Sequence, residues 1–398
     1  MMPSQVLAVG ITGGTFALLA RPRIGDIPLS RAITSAVGAL LIVFLGYLSP
    51  EQAMASLDTT TLLLLFGMLC HVEPLRRSGC YEWAAAVLVE RAATARQLTL
   101  GSLGLSALLS AVALNDATVL LLTPVLVTAT RAGDIDPVLP LLAVILGANI
   151  GSLATPLGNP QNAFILAESG ITTSTFVTTL VPVTVVVLTL AAVVLWAIGD
   201  RTPVQAGIDR PTIDMGWSLA SGAFVVATLG VLVFFPSVQP GVLATTMGIA
   251  HIVWLQLFRQ VPGAEIVQDL DWSILVMFAG IFVLVGALEQ AGVAQLLTTA
   301  TRQFSLATLT FVLSNLVSNV PAVVLLAHTA GSTGEWFVLA AVSTLAGVAT
   351  PIGSVATLIV LDQARRENVE ISLWQLLKIG FPLAVATSMA AVGVLKVV

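Results

Sequence analysis

Apolar positions along the chain fall in long unbroken blocks, and the breaks between blocks are short and polar. Val6–Ala20, Ala32–Leu48, Thr59–Leu75, Phe176–Ile198, Trp217–Phe235, Gly241–Phe258, Trp272–Leu288 and Leu373–Leu395 each read as one apolar helix of membrane-crossing character. Two other blocks carry polar residues at their centres. Leu98–Thr130 is interrupted by Asn115-Asp116, and Ser305–Gly331 by the run Ser318-Asn319-Val320-Pro321. Two more begin apolar and run into Gly, Pro and Asn: Pro137–Ala148 meets NIGSLATPLGNPQN (149–162) and resumes over Ala163–Glu168, and Glu335–Val348 meets ATPIGSVAT (349–357). Backbone of that kind at membrane depth is tolerated only where protein or a cavity covers it. Tyr81–Arg96 is amphipathic and is expected along the membrane surface, and Gln290–Gln303 is polar and weakly amphipathic.

Composition agrees with a membrane solvent. The chain has 398 residues, of which 57% are hydrophobic and 9% charged, where a soluble domain carries about 25% charge. The net charge is −5 with no long basic run, so nucleic acid is not an expected partner. Cys70 and Cys80 stand in neither a metal-ligand set nor a disulfide framework and read as inert thiols. No resident metal or cofactor is expected.

Basic residues give the expected orientation. Arg21, Arg23 and Arg31 follow the first block, so the first joint is placed in the cytoplasm and the N-terminus outside. Arg96 and Arg131 flank Leu98–Thr130, which predicts a re-entrant hairpin (about 98–130) with its tip at Asn115-Asp116-Ala117. The charged stretch 200–214, with Asp200, Arg201, Asp209 and Arg210, divides the chain. The second part repeats the first: DTTTLLLLFG (58–67) resembles DWSILVMFAG (271–280), NDATVLLL resembles NVPAVVLL, and ATPLGNPQN (154–162) resembles ATPIGSVAT. The expected fold is an all-α polytopic membrane protein, an inverted repeat of two five-crossing halves. Residues 1–199 form the first, with a broken span at 137–168; 200–214 is a cytoplasmic linker; 215–398 form the second, with a hairpin at about 305–331 and a broken span at 335–362. Both termini are expected outside a cell inner (plasma) membrane.

Asp116 is the only charge between Arg96 and Arg131. A carboxylate at membrane depth marks a functional site. Helix starts at hairpin tips offer N–H groups to an anion, and helix ends offer carbonyls to a cation. Expected substrate contacts are Asn115, Ala117, Thr118, Thr155, Pro156, Gly158, Asn159 and Asn162 in the first half. In the second half they are Ser318, Asn319, Pro321, Thr350, Gly353, Ser354 and Thr357. Ser110, Asn115, Asp116, Gly151, Ser314 and Asn319 are expected at the coupling ion, sodium or a proton. No Arg or Lys lies in either tip sequence, so anion selectivity is assigned to backbone dipoles. His71, beside Glu73 and Arg76, is expected at the cytoplasmic interface; His251 has no visible partner; His328 lies on the second arm of the second hairpin. Trp83, Trp217, Trp254, Trp272, Trp336 and Trp374 fall near block ends, as an interfacial belt would.

At these residues the chain resembles the ion transporter superfamily, which includes divalent-anion/sodium symporters, arsenite permeases and sodium/proton antiporters. The symporters carry Ser-Asn-Thr at each tip with a hydroxyl residue four positions earlier. Asn115, Asn319, Ser318, Ser110 and Ser314 match that pattern; Leu114, Asp116 and Val320 depart from it. NDATVLLLTP is closer to the arsenite permeases, while TPLGNPQN and DWSILVMFAGIFVLVGALEQAG are closer to bacterial anion permeases. The resemblance implies a homodimer with elevator-type alternating access. The sequence therefore predicts an ion-coupled secondary transporter of a small anion, a di/tricarboxylate or inorganic oxyanion. The alternatives are proton-driven arsenite or antimonite efflux and sodium/proton exchange. HExxH, GxSxG and GxxxxGK[ST] are absent, which argues against an intramembrane enzyme and a built-in ATP site. A channel would show flux linear in the gradient, without counterflow.

Overall fold

In the computed structural model, residues 3–20, 23–24, 27–204 and 210–397 are described. Arg21, Asp209 and the Arg23 side chain lie outside them. Among the described residues the regular structure is helical apart from two paired two-residue strands, β1 (Arg23–Ile24) and β2 (Ile27–Pro28). In the first part the helices are α1 (Pro3–Leu19), α2 (Arg31–Phe44), α3 (Pro50–Ala55), α4 (Thr59–Arg77), α5 (Cys80–Arg91), α6 (Ala95–Val112), α7 (Asn115–Ala132), α8 (Val138–Ser152), α9 (Pro160–Ser169) and α10 (Thr173–Ile198). The second part holds α11 (Met215–Phe234), α12 (Pro240–Phe258), α13 (Gly263–Gln268), α14 (Trp272–Gln290), α15 (Val293–Gln303), α16 (Leu306–Val317), α17 (Asn319–Leu326), α18 (Thr333–Ala346), α19 (Val355–Arg366) and α20 (Leu373–Leu395). A 3₁₀ turn, Ala327–Thr329, extends α17.

Among the described residues, α10, α11, α12, α14 and α20 are each long and apolar enough to cross a membrane alone. The helices around the polar breaks are shorter. α8 has 15 residues, α9 10, α16 12, α17 8, α18 14 and α19 12. At 1.5 Å per residue none of these reaches the ~30 Å hydrocarbon thickness alone. The chain is a multi-pass membrane protein.

Helix starts are capped as the residue types require. Ser30, Asp58, Thr94, Asn159, Thr172, Asp214, Ser305 and Ser372 each accept a backbone N–H through the side chain. Ser49 and Gln52 form a reciprocal capping box that starts α3. This short helix, like α13, is too brief to show in the apolar pattern.

Three sequence expectations are corrected here. The helix that enters the first broken span continues to Ser152, past the expected stop at Ala148. Gly147 and Gly151 let its backbone lie against α6, so its polar residues are covered by protein: a Cβ at Gly151 would meet the Ala107 carbonyl at 2.0 Å. The segment Tyr81–Arg96 is not one surface helix. It breaks at Ala92–Thr94, and α5 buries Tyr81, Ala85, Ala86 and Val89. His71 lies inside the protein and not at the interface, as described below.

Helix pairings recur along the chain. α4 packs against α12 and α14 against α2; α1 meets α2 as α11 meets α12; α7 packs on α19 and α9 on α17. The closest approaches sit at matching glycines. A Cβ on Gly67 would lie 2.2 Å from the Ala244 backbone, and one on Gly280 would lie 2.7 Å from that of Ser35. The stretch after α10 is pinned to the α5–α6 junction: Ala95 and Arg96 donate N–H bonds to Thr202 and Asp200, and the Arg96 guanidinium donates to Gly199 O. The Thr202 hydroxyl holds Asp200, outside the spans, below the usual carboxylate range.

Candidate functional site

The first helix break is built from two segments. α6 ends at Val112, and α7 starts at Asn115 after an extended Ala113. The break between α8 and α9, residues 153–159, lies beside it. Asn115 donates its N–H to Gly158 O at 2.9 Å, and the Thr155 hydroxyl donates to Ala111 O at 2.6 Å. Asn162 donates from Nδ2 to Ser152 O (2.9 Å) and Thr155 O (3.2 Å), spanning the break from its far side. Ser110 donates to Ala148 O at 2.6 Å. The Asn115 side chain accepts the N–H of Asp116 at 2.9 Å and covers a first-turn donor.

The second break repeats these bonds at equivalent positions. Asn319 donates its N–H to Gly353 O at 3.2 Å, and the Thr350 hydroxyl donates to Asn315 Oδ1 at 2.8 Å. Thr357 donates to Gly347 O at 3.0 Å, where Asn162 reaches Ser152 O in the first part. Asn319 Oδ1 accepts the N–H of Val320 at 2.9 Å. Gly158 and Gly353 are required by close approach: a Cβ would stand 2.3 Å from Ser152 O and 2.9 Å from Asn315 Oδ1, respectively. The tips differ in one respect. Ser318 has φ 77° and ψ 159°, a conformation suited to glycine, whereas Leu114 is in an ordinary extended region.

The two breaks are joined. Asn159 and Gln161 both donate to the Thr344 hydroxyl, at 3.3 and 3.2 Å, and Asn159 also donates to Ser152 Oγ at 3.0 Å. Among the described residues the buried side-chain atoms without a hydrogen-bond partner include Thr118 Oγ1, Asn149 Oδ1, Gln161 Oε1, Asn162 Oδ1, Ser314 Oγ and Ser354 Oγ. A buried acceptor left alone is costly, and all six lie on helices α7, α8, α9 and α16 or at the start of α19, around the breaks. Asn149 and Gln161 had not been singled out in the sequence; only the fold brings them to the others. Pro156, Gly158, Pro321 and Gly353 are buried backbone-defining positions, and Gly151 serves the α6–α8 approach.

Asp116 and Ala117 are half-buried and face a cavity of about 690 Å³, lined also by Arg31, Glu73, Arg76, Leu114, Asp269, Asp271 and Val355. Arg31, which lies in neither tip, begins α2, lines this cavity, and lies within electrostatic reach of Asp116. Around the mouth, Glu73 binds Arg76 (2.6 Å) and Arg77 (2.8 Å), and Arg77 binds Asp269 (2.5 Å). A narrower cleft of about 270 Å³ lies at the opposite end, lined by Asp58, Glu168, Glu289, His328 and Trp336. There His328 Nε2 pairs with Glu289 at 2.6 Å.

A second polar group is invisible in the sequence. His71 Nδ1 and His251 Nδ1 are 3.2 Å apart, His71 Nε2 meets Thr228 Oγ1 at 3.0 Å, and His251 Nε2 meets Ser221 Oγ at 3.0 Å. The chain Thr228–His71–His251–Ser221 ties α4, α11 and α12 together. His251 therefore has partners; 180 residues separate the two rings along the chain.

Comparison with known proteins fits this architecture. The family described as citrate transporter matches residues 16–342. The chain belongs to the citrate transporter family. It is a transporter, not an enzyme. Relatives of this citrate transporter family member include an uncharacterised transporter of Mycobacterium tuberculosis, 28% identical over 98% of this chain and 97% of the relative. A silicon efflux transporter of Oryza sativa subsp. japonica is 27% identical over 95% of both chains. The crystal structure of the YdaH transporter of Alcanivorax borkumensis superposes with a TM-score of 0.59 at 15% identity, covering 99% of this chain and 98% of that one. That likeness gives the fold.

Proposed function

We propose that the protein is a secondary active transporter that moves a small anion, a di/tricarboxylate or inorganic oxyanion, coupled to sodium or protons. The observation that carries this reading is the duplicated helix break, with the same backbone hydrogen bonds made at Asn115–Gly158 and Asn319–Gly353. Helices α7, α9, α17 and α19 all begin there. Each helix start carries about half a positive charge, so these ends favour an anion. The unpartnered oxygens of Asn149, Gln161, Asn162, Ser314 and Ser354 suit a cation of the coupling gradient. The family name and the membrane helices agree with this substrate class.

The matched pairings and glycines support an inverted repeat, 1–199 and 215–398, joined by 200–214. The short arms of α16 and α17 support a re-entrant hairpin in the second half, and by symmetry α6–α7 form the first. The wide cavity lies at the end that holds Arg76, Arg77, Arg131, Arg365 and Arg366, so it faces the cytoplasm of an inner membrane and both termini lie outside. The smaller cleft at the acidic end is the outer entrance. Alternating access by an elevator movement in a homodimer completes the reading. The silicon efflux relative favours a second reading, export of a neutral hydroxide such as arsenite, for which no fixed cation is needed.

The deciding experiment is a melting series on the detergent-solubilised protein with citrate, succinate, sulfate, phosphate and arsenite, each in sodium and in choline at two pH values. A ligand at a hundred times its dissociation constant adds about 2.7 kcal/mol. A shift with one anion that requires sodium or low pH supports coupled anion transport. A shift with arsenite alone supports the second reading, and none with any anion sinks the first. Counterflow in proteoliposomes distinguishes a carrier from a channel.

A further inference from the structure

We propose that Arg31 is the anion-recognition residue of the cytoplasmic cavity, taking one carboxylate or tetrahedral oxyanion group of the substrate on its guanidinium. This inference rests on the anion-transport reading above and assigns the substrate's charged group to a side chain.

The argument begins with the charges around the cavity. Arg76 is held by Glu73, and Asp269 by Arg77. Asp271 caps its own helix, accepting the N–H of Ser273. Apart from Asp271, which has no ion pair but is engaged by its own helix start, two charged groups on the cavity wall have no ion pair within 4 Å among the described residues: Arg31 and Asp116. They are close enough to sense each other's charge and too far apart to bond.

Arg31 has an unusual setting for an arginine. It is the first residue of α2, where the positive end of the helix dipole opposes a cation. It is half-buried and makes no hydrogen bond among the described residues, although a guanidinium carries five donors. A partly desolvated guanidinium with no ion pair among the described residues is expensive, and nothing in the packing of α2 requires it: Ser30 supplies the cap, and Ala32, Ser35, Gly38, Ala39 and Ile42 supply the buried face.

Its position suits an arriving anion. A second cavity of about 770 Å³, lined by Asp362, Arg365, Arg366 and Glu370, shares Arg31, Leu120, Val355 and Ile359 with the first. Arg31 thus stands where the two cavities meet, between the basic end of the protein and Asp116. The outer Arg365 and Arg366 are both bound to Asp362. Among the described residues that line the two cavities, Arg31 is the cation with no ion pair that an anion moving inward meets. The planar fork fits a carboxylate or a tetrahedral oxyanion face through two parallel bonds. The remainder of the substrate then lies toward the helix starts at Asn115 and Val355.

The test uses full-length protein in detergent, with melting-temperature titrations of citrate, succinate, sulfate and phosphate on wild type, Arg31→Gln and Arg31→Lys. Arg31→Gln is expected to lose affinity at least tenfold for whichever anion stabilises the wild type, with an unchanged ligand-free melting temperature; a merely structural arginine would lower that temperature. Arg31→Lys keeps the charge without the fork and is expected between the two. Wild-type affinity in Arg31→Gln overturns the assignment and leaves anion transport standing. If Arg31→Gln does not fold, Arg31→Lys decides: affinity equal to wild type overturns the assignment, and a several-fold loss upholds it. A wild type that binds none of the four anions overturns the transport reading, and this assignment with it.

Discussion

At the scale of single residues, the site is defined by groups whose needs the fold leaves unmet. Asp116 stands in the first turn of α7 and faces a cavity, with no ion pair among the described residues. Asp116→Asn is expected to abolish coupled uptake in proteoliposomes while leaving the melting temperature within a few degrees of wild type; unchanged coupling ends the role given to it. Ser318 is held in a backbone region that costs a side chain about 1–3 kcal/mol. Ser318→Gly should therefore raise stability by about 1 kcal/mol, read as a higher melting temperature. The buried histidines behave differently. With their Nδ1 atoms 3.2 Å apart, one ring donates and the other accepts. His251→Phe leaves His71 Nδ1 and Ser221 Oγ without their partner, while His71 Nε2 keeps Thr228, and should cost about 1–3 kcal/mol. His71→Phe combined with His251→Phe should cost less than the sum of the two single changes, in a double-mutant cycle on melting.

At the scale of elements, much was legible in the sequence. The last helix was expected at Leu373–Leu395 and is found there, because a long uniform apolar block leaves no alternative. The helix breaks were legible because Asn, Pro and Gly interrupt apolar runs twice in the same order. The site residues that the breaks hydrogen-bond, Asn115, Thr155, Gly158, Asn319, Thr350 and Gly353, were legible by internal repetition. Asn149, Gln161 and the two histidines were not, because their partners are distant in sequence and no periodicity marks them. That Arg31 lines the cavity was not legible, because an arginine after an apolar block reads as a loop charge, and only the packing of α2 against α14 brings it there. The helix pairs themselves depend on glycine. Gly67→Leu and Gly280→Leu each drive a side chain into a neighbouring backbone, and both are expected to abolish a monodisperse peak in size-exclusion chromatography. Gly104→Ala, with open space around it, should leave that peak intact.

At the scale of the whole molecule, the two ends differ in charge and in cavity volume. The basic end holds two broad cavities, and the acidic end a narrow cleft bridged by His328 and Glu289. In a background lacking Cys70 and Cys80, Leu120→Cys lines the broad cavity and should react with a membrane-impermeant maleimide only from the cytoplasmic face. Reaction from the outer face alone would invert the assigned orientation.

The tie between each tip and its own broken helix has a mechanical consequence. Asn115 cannot leave Gly158, nor Asn319 leave Gly353, without exposing backbone groups to a solvent that offers nothing in return. A tip therefore does not swing as a separate flap; tip and broken helix travel as one body. In the proposed elevator movement, a body of that size sliding past its surroundings would drag or compress the acyl chains that touch it. Turnover then becomes a property of the lipid as well as of the protein, slowing where acyl chains are too long or too short to follow the movement.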